Sequence, residues 1–149
     1  MDEINWAWLA GLIDGEGCLY YERTGSGERP GYSATLSISM YSWPPIEKAM
    51  TIIASLGQGS PCLCTGARNG GKTRYDLYVK GALTGAVISR VLPYLTVKAV
   101  EGQLLLDALI VCGSGRGGYS QYHLRTPEQM ALQEGYHLAL KEAKIQALC

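Results

Sequence analysis

Two stretches of this 149-residue chain place reactive residue types at spacings that could do chemistry. The first is Trp8-Leu9-Ala10-Gly11-Leu12-Ile13-Asp14-Gly15-Glu16-Gly17, an apolar run ending in two acidic residues set among glycines. In a helix, Ala7, Gly11 and Gly15 fall on one face at four-residue spacing, so a second helix backbone could approach closely there. If two copies pair in parallel about a twofold axis, their Glu16 carboxylates meet at one end of the seam. Paired carboxylates repel unless they are protonated or share a cation. A hard ion such as Mg²⁺ is the natural occupant, with phosphate oxygens and water completing its octahedron. The competing reading of Glu16 is a solvated carboxylate at a helix C-terminus, an arrangement the helix dipole disfavours.

The second stretch, Gly66-Ala67-Arg68-Asn69-Gly70-Gly71-Lys72-Thr73, matches the phosphate-cradling pattern GxxxxGK[ST]. Leu104 to Asp107 could then pass for an apolar strand with a terminal magnesium-binding aspartate. That chemistry requires a helix to begin at Lys72-Thr73, because its free amides hold the phosphates. Instead, Arg74 to Lys80 alternates like a strand, and Asn69-Gly70 is a hairpin-turn signal. Leu104 to Asp107 also lies within helical spacing at Val100, Leu104, Ala108 and Val111. The pattern is therefore read as a turn.

The elements that must position Glu16 follow from periodicity. A first helix is predicted over 5–15, with Asn5 as its cap and Trp6, Leu9, Leu12 and Ile13 as its stripe. Alternation from Cys18 to Thr24 and from Ser33 to Tyr41, across a Gly- and Pro-rich turn, predicts a hairpin over 18–41. A second helix, 45–56, opens at Pro44-Pro45 and buries Ile46, Ala49, Met50, Ile53 and Leu56. A second hairpin spans 60–79, and helices are predicted over 81–92, 97–112 and 126–147. Each hairpin offers one apolar face to the helices and leaves a polar face open.

Composition bounds the partners. With 47% apolar and 17% charged residues, the chain can bury a core as one domain, 1–149. Thirteen basic residues balance thirteen acidic ones. The first 17 residues nevertheless hold four acids and no base, whereas 18–80 hold seven bases and four acids. That distribution sets an acidic seam beside a modestly basic sheet and predicts a shallow salt dependence for any nucleic-acid binding. Five scattered cysteines form neither a disulfide framework nor a zinc pattern. Asp2 and Glu3 precede the apolar run at Trp6 where a signal peptide would need positive charge. No stretch reaches the roughly 18 apolar residues of a membrane span. A soluble intracellular protein with no membrane partner and no small-molecule cofactor is expected. His123, His137 and the Met and Trp residues are read as structural.

The nine residues Leu9 to Gly17, LAGLIDGEG, resemble the defining motif of the LAGLIDADG homing endonucleases, and the helix-hairpin-helix-hairpin-helix order is similar to that family's layout. Leu92-Pro93-Tyr94-Leu95-Thr96-Val97-Lys98 resembles the family segment that places a basic residue beside the scissile phosphate. The resemblance implies an α+β fold of the αββαββα type, with a curved antiparallel sheet as a DNA-binding saddle and C-terminal helices added. A single motif implies the homodimeric branch, with Ala7, Gly11 and Gly15 at the dimer interface. It further implies a Mg²⁺-dependent, site-specific DNA endonuclease of intron homing, in which Mn²⁺ or Ca²⁺ could occupy the metal position. Glu16 would bind the metal with help from the Gly15 carbonyl, although Asp is commoner than Glu at that position. Asp14 would be structural. Lys98 would neutralise charge on the phosphate or orient the attacking water. Where relatives carry Gln or Arg after the second strand, this chain has Tyr41-Ser42-Trp43, and Ser42 is the small polar candidate. That departure keeps open a non-cleaving nucleic-acid binder, either a maturase or a transcriptional regulator.

A strand of eight or nine residues spans about 28 Å, or about 8 base pairs, so two protomers would read roughly 20 base pairs of double-stranded DNA. A twisted ribbon fits the major groove. Arg74, Arg68 and Arg23 are the guanine readers by chemistry. Glu22, Thr24, Thr35, Ser37, Ser39, Tyr41, Lys72, Asp76 and Tyr78 supply further contacts, and Arg116 and Arg125 are assigned to phosphate.

Overall fold

The computed structural model describes residues 2–25, 28, 30–68, 70–113 and 125–147. Helix α1 (Glu3–Glu16) begins earlier than the spacing predicts. Asp2, not Asn5, is its cap: the Asp2 carboxylate accepts the Asn5 backbone N–H at 3.1 Å and its side-chain amide at 2.6 Å. An acceptor three residues upstream of Asn5 satisfies a free amide of the first turn, so the helix extends back to it. Trp6, Leu9, Ala10 and Ile13 form the buried stripe of α1.

The chain passes from α1 without a loop into β1 (Gly17–Thr24), followed by β2 (Gly31–Met40), α2 (Trp43–Ala54), β3 (Cys62–Arg68) and β4 (Lys72–Lys80). Then come α3 (Ala82–Val91), a short 3₁₀ turn (Leu92–Tyr94), α4 (Ala99–Cys112) and α5 (Pro127–Ala147). Pro93 sits in the turn that separates α3 from α4, which is why these helices do not merge. All three strand pairings are antiparallel, in the order β1-β2-β4-β3. The two hairpins thus lie side by side through their second strands.

Alternation assigns the faces. Leu19 and Tyr21, then Tyr32, Ala34, Leu36 and Ile38, then Leu77 and Val79 point into the core under the helices. The opposite face carries an open groove lined by alternate residues of β1, β2 and β4. Lys72-Thr73 opens β4, so the GxxxxGK[ST] segment straddles a hairpin turn and has no helix to hold phosphates. Positive φ falls on Gly70 (80°) and Gly71 (89°), which a turn this tight requires of glycine. Leu104 to Asp107 lies inside α4, not on a strand.

Helix α5 closes the β1 edge. The Tyr32 hydroxyl donates to Glu134, and the His137 Nδ1 lies 2.5 Å from the Tyr21 carbonyl oxygen. His137 is therefore a structural tether.

Candidate active site and nucleic-acid interface

The α1–β1 junction presents a carboxylate at the surface. Glu16 is the last residue of α1 and is exposed. Directly after it, the Gly17 N–H donates to the Ile13 carbonyl and ends the helix. A Cβ at Gly17 would lie 2.7 Å from the Ile13 carbonyl oxygen and 2.8 Å from its Cα, so only glycine fits so close to the last helical turn. Gly17 thereby fixes where the helix stops and where Glu16 stands.

Asp14 faces inward. Its carboxylate accepts the backbone N–H of Thr96 at 2.7 Å and that of Lys98 at 2.9 Å, and the Lys98 ammonium donates to the Asp14 carbonyl oxygen. These bonds clamp the segment before α4 onto the end of α1. Lys98 is the N-cap residue of α4, outside its first turn, and the clamp holds its ammonium two residues from Glu16. One turn on, Glu101 is 6% exposed. Burial pushes its carboxyl above the ordinary range, while Lys144 and Lys98 pull it back and Asp14 adds to the rise. Ser42 is the exposed N-cap of α2, and its hydroxyl makes no capping bond. The neighbouring Trp43 ring packs 5.3 Å from Tyr75, and Tyr41 is exposed just beyond the end of β2.

Along α1, Ala7, Gly11 and Gly15 are exposed. A Cβ at Gly11 or Gly15 would meet nothing within 4 Å, and Ile4 (78% exposed) extends this uncovered face. Val97 and Val100, beside Lys98, are exposed as well.

The open face of the sheet carries the polar side chains in register. Ser37 pairs with Cys18 and Tyr78, Thr35 with Tyr20 and Lys80, and Ser39 with Asp76. Tyr20, Glu22, Thr24, Ser33, Thr35, Ser37, Ser39, Arg74, Tyr78 and Lys80 line a groove of about 510 Å³. Arg74 Nε donates to Asp76 Oδ1 at 2.7 Å, and its Nη2 lies 3.0 Å from Ser39 Oγ. The Ser39 hydroxyl in turn donates to Asp76 Oδ1 at 2.5 Å.

Two expected DNA contacts are directed elsewhere. Arg23 lies on β1 with the same parity as Leu19 and Tyr21, opposite Tyr32, so it points to the α5 side and away from Glu22 and Thr24. Strict alternation already implied this. The Arg125 Nη1 donates to the Pro30 carbonyl at 3.1 Å and to Gln133 Oε1 at 3.0 Å, tying the start of α5 to the β1–β2 connection. Arg116 lies outside the described residues, as does His123. Arg68 closes β3 opposite Lys72.

One cation was missed. Lys144 on α5 lies 4.2 Å from the Tyr20 ring centroid, and its ammonium donates to Cys18 Sγ at 3.5 Å. It overhangs the start of β1, two strand positions from Glu16. A lysine near the end of a long helix carries no local signal of such a contact.

No protein-family model and no curated protein sequence matches the chain. Solved structures do match its shape. The homing endonuclease I-CvuI, in complex with its target in the presence of calcium, superposes with a TM-score of 0.56 at 17% identity, over 97% of this chain and 95% of that one. The LAGLIDADG homing endonuclease I-GzeII, bound to its DNA target, gives a TM-score of 0.62 at 18% identity. The fold is that of the LAGLIDADG homing endonucleases. This chain covers 43% of I-GzeII, with 91% of its own length matched. The archaeal intron-encoded homing endonuclease I-Vdi141I, complexed with DNA, matches end to end at a TM-score of 0.58 and 11% identity, with 97% and 99% of the two chains covered. Within the LAGLIDADG architecture, Leu9 to Gly17 of this chain forms the end of α1 and the start of β1.

Proposed function

We propose that the chain is a homodimeric, Mg²⁺-dependent, site-specific DNA endonuclease. The observation that carries this reading is the exposed Glu16 at the end of an uncovered helix face, with Lys98 clamped beside it and a polar sheet face beginning at the next residue. The solved neighbours with this fold are described as homing endonucleases bound to DNA, which supports DNA as the substrate.

The donor set fits a hard divalent ion. Glu16 offers carboxylate oxygens, and Gly15 has one of the helix-terminal carbonyls that lack an intrahelical partner. Among the described residues no three ligand side chains gather, and Mg²⁺ is commonly held by one or two carboxylates with phosphate and water. Pairing through Ala7, Gly11 and Gly15 supplies the second Glu16, and substrate phosphate supplies further oxygens. Held by Glu16 and the Gly15 carbonyl, Mg²⁺ would supply Lewis acidity toward an attacking water and the leaving 3′ oxygen. Complexes of I-CvuI obtained with calcium and with magnesium are consistent with such a site.

The rest is the work of the chain's own residues. The Lys98 ammonium has three donors and uses one on the Asp14 carbonyl, which leaves two for a phosphate oxygen or the attacking water. Ser42, exposed and uncommitted to its helix cap, is the polar group offered after β2. The groove residues of the sheet read base edges from the major groove.

Incubation with a DNA library and Mg²⁺, followed by sequencing of new ends, tests the activity. Cleavage at a recurring near-palindromic site, abolished by chelation, is expected. Glu16→Gln should lose cleavage and keep DNA binding, and a Glu16→Gln protein that still cuts would overturn the metal assignment. Sequence-selective binding without new ends would point to the non-cleaving binder that the Tyr41-Ser42-Trp43 departure keeps open. Sedimentation with DNA should give two protomers per duplex.

A further inference from the structure

The Arg74–Asp76–Ser39 cluster has a shape that a merely solvated sheet face does not need. Its three side chains come from β2 and β4, which meet only through tertiary pairing, and Ser39 and Asp76 are direct partners in the register. Asp76 Oδ1 takes the Arg74 Nε–H and the Ser39 O–H, and Ser39 Oγ takes an N–H from Arg74 Nη2. Three bonds among three groups fix the plane of the guanidinium. The Asp76 side chain is 14% exposed while that of Arg74 is 33% exposed, so the carboxylate lies beneath and the guanidinium is presented to the groove.

A guanidinium has five N–H groups in a rigid fork. The cluster uses Nε and one hydrogen of Nη2. Both Nη1 hydrogens and the second Nη2 hydrogen lie outside these bonds, and that outer edge matches the paired O6 and N7 acceptors of guanine. An arginine on a flexible stem would have to surrender rotamer entropy to reach this geometry. Held by Asp76 and Ser39, Arg74 has already done so. Neutralisation by Asp76 also removes most of the pull a lone arginine would exert on phosphates, which favours base reading over backbone attachment.

The register gives the place along the site. Gly17 pairs with Ile38, and Ile38 with Leu77, so the Ser39–Asp76 pair lies one residue to the Glu16 side of that row, with Arg74 further on the same side. The base it faces belongs to the part of each half-site nearest the cut.

We propose that Asp76 and Ser39 are positioning residues that hold Arg74 as the reader of one guanine near the cleavage end of each half-site. This rests on reading the sheet as the DNA surface.

The test is selection of bound duplexes from a randomised pool, with the wild-type protein and with Arg74→Ala, Asp76→Ala, Ser39→Ala and Arg74→Lys, each checked for native circular dichroism. The wild type should enrich guanine at one inner position per half-site. Arg74→Ala should lower discrimination there by about 5- to 150-fold, the usual worth of a bidentate pair. Arg74→Lys should not restore it, since an ammonium has no fork. Asp76→Ala should weaken the preference at that position alone. It should also strengthen nonspecific binding and steepen the salt slope by about 0.9, because it unmasks one positive charge. A merely structural role for Asp76 would lower all binding together. Two results would overturn the proposal: retention of the guanine preference in Asp76→Ala, or its retention in Arg74→Ala, which would make Asp76 the reader of the paired cytosine. A wild-type pool with no enriched position would sink both the proposal and the DNA-reading function, whereas enrichment unaffected by these variants would sink the proposal alone.

Discussion

Replacing Asp14 with alanine should loosen the whole catalytic end of the molecule. The Asp14 carboxylate accepts two backbone N–H groups, Thr96 at 2.7 Å and Lys98 at 2.9 Å. Hydrogen bonds to a charged group are each worth about 1.5 to 3 kcal/mol. The Thr96 bond is exposed, so its amide can turn to water once the carboxylate is gone, whereas the Lys98 amide is partly buried. The net cost of Asp14→Ala is therefore about 2 to 4 kcal/mol, a large part of the typical stability of a domain. In a chain of this size it corresponds to about 4 to 16 °C in Tm. Asp14→Asn keeps one acceptor oxygen and turns an amide toward the other N–H, so it should lose about half as much or slightly more. Urea unfolding, with the midpoint falling and the slope unchanged, measures the effect. Cleavage should fall in parallel, because the clamped segment is what brings the Lys98 ammonium to the Asp14 carbonyl. An Asp14→Ala protein within about 0.5 kcal/mol of the parent would refute the clamp as an energetic element. Parental cleavage in that variant would refute it as the positioner of Lys98.

The glycine on the face of α1 and the glycine that ends it should separate cleanly. Gly17→Ala forces a Cβ to 2.7 Å from a main-chain oxygen and should cost about 1 to 3 kcal/mol and displace Glu16, as read by unfolding and cleavage assays. Gly11→Leu meets open space within one chain, so it should leave monomer stability near parental while shifting sedimentation toward monomer. The Tyr32 phenol is pushed up to about 12 by burial and then by its bond to Glu134. A raised folded value means the contribution is intact below about pH 10 and disappears toward pH 12. Tyr32→Phe should therefore lose less stability than the parent across that window, measured by urea unfolding at the two ends. The buried Glu101 carboxyl is likewise raised, so wild-type stability should decline as pH climbs above its ordinary 4.5. Glu101→Gln should decline less, and equal pH profiles for the two proteins would contradict the burial argument.

Local periodicity is enough to place most elements and to assign their faces. Period-two runs around Leu36 and Leu77 reported strands because alternate side chains leave a strand on opposite sides, and the Trp6–Leu9–Ile13 spacing reported a helix for the equivalent reason. The same parity would have sent Arg23 to the helix side. It also separated the hairpin turn at Gly70-Gly71 from a phosphate loop, since the alternation after Lys72 cannot begin a helix. Local pattern stops there, because it records only how a residue relates to those within a turn or a strand step. That β2 and β4 lie side by side, joining Ser39 to Asp76 and Arg74, is a property of two hairpins packing under shared helices. The contact of Asp14 with Thr96 and Lys98, the diversion of Arg125 to Pro30, and the reach of Lys144 to Cys18 each cross more than 80 residues of chain. Only tertiary structure decides these partners, because each depends on which buried surfaces meet, and a charged side chain on the surface carries no trace of that in its own neighbourhood of sequence.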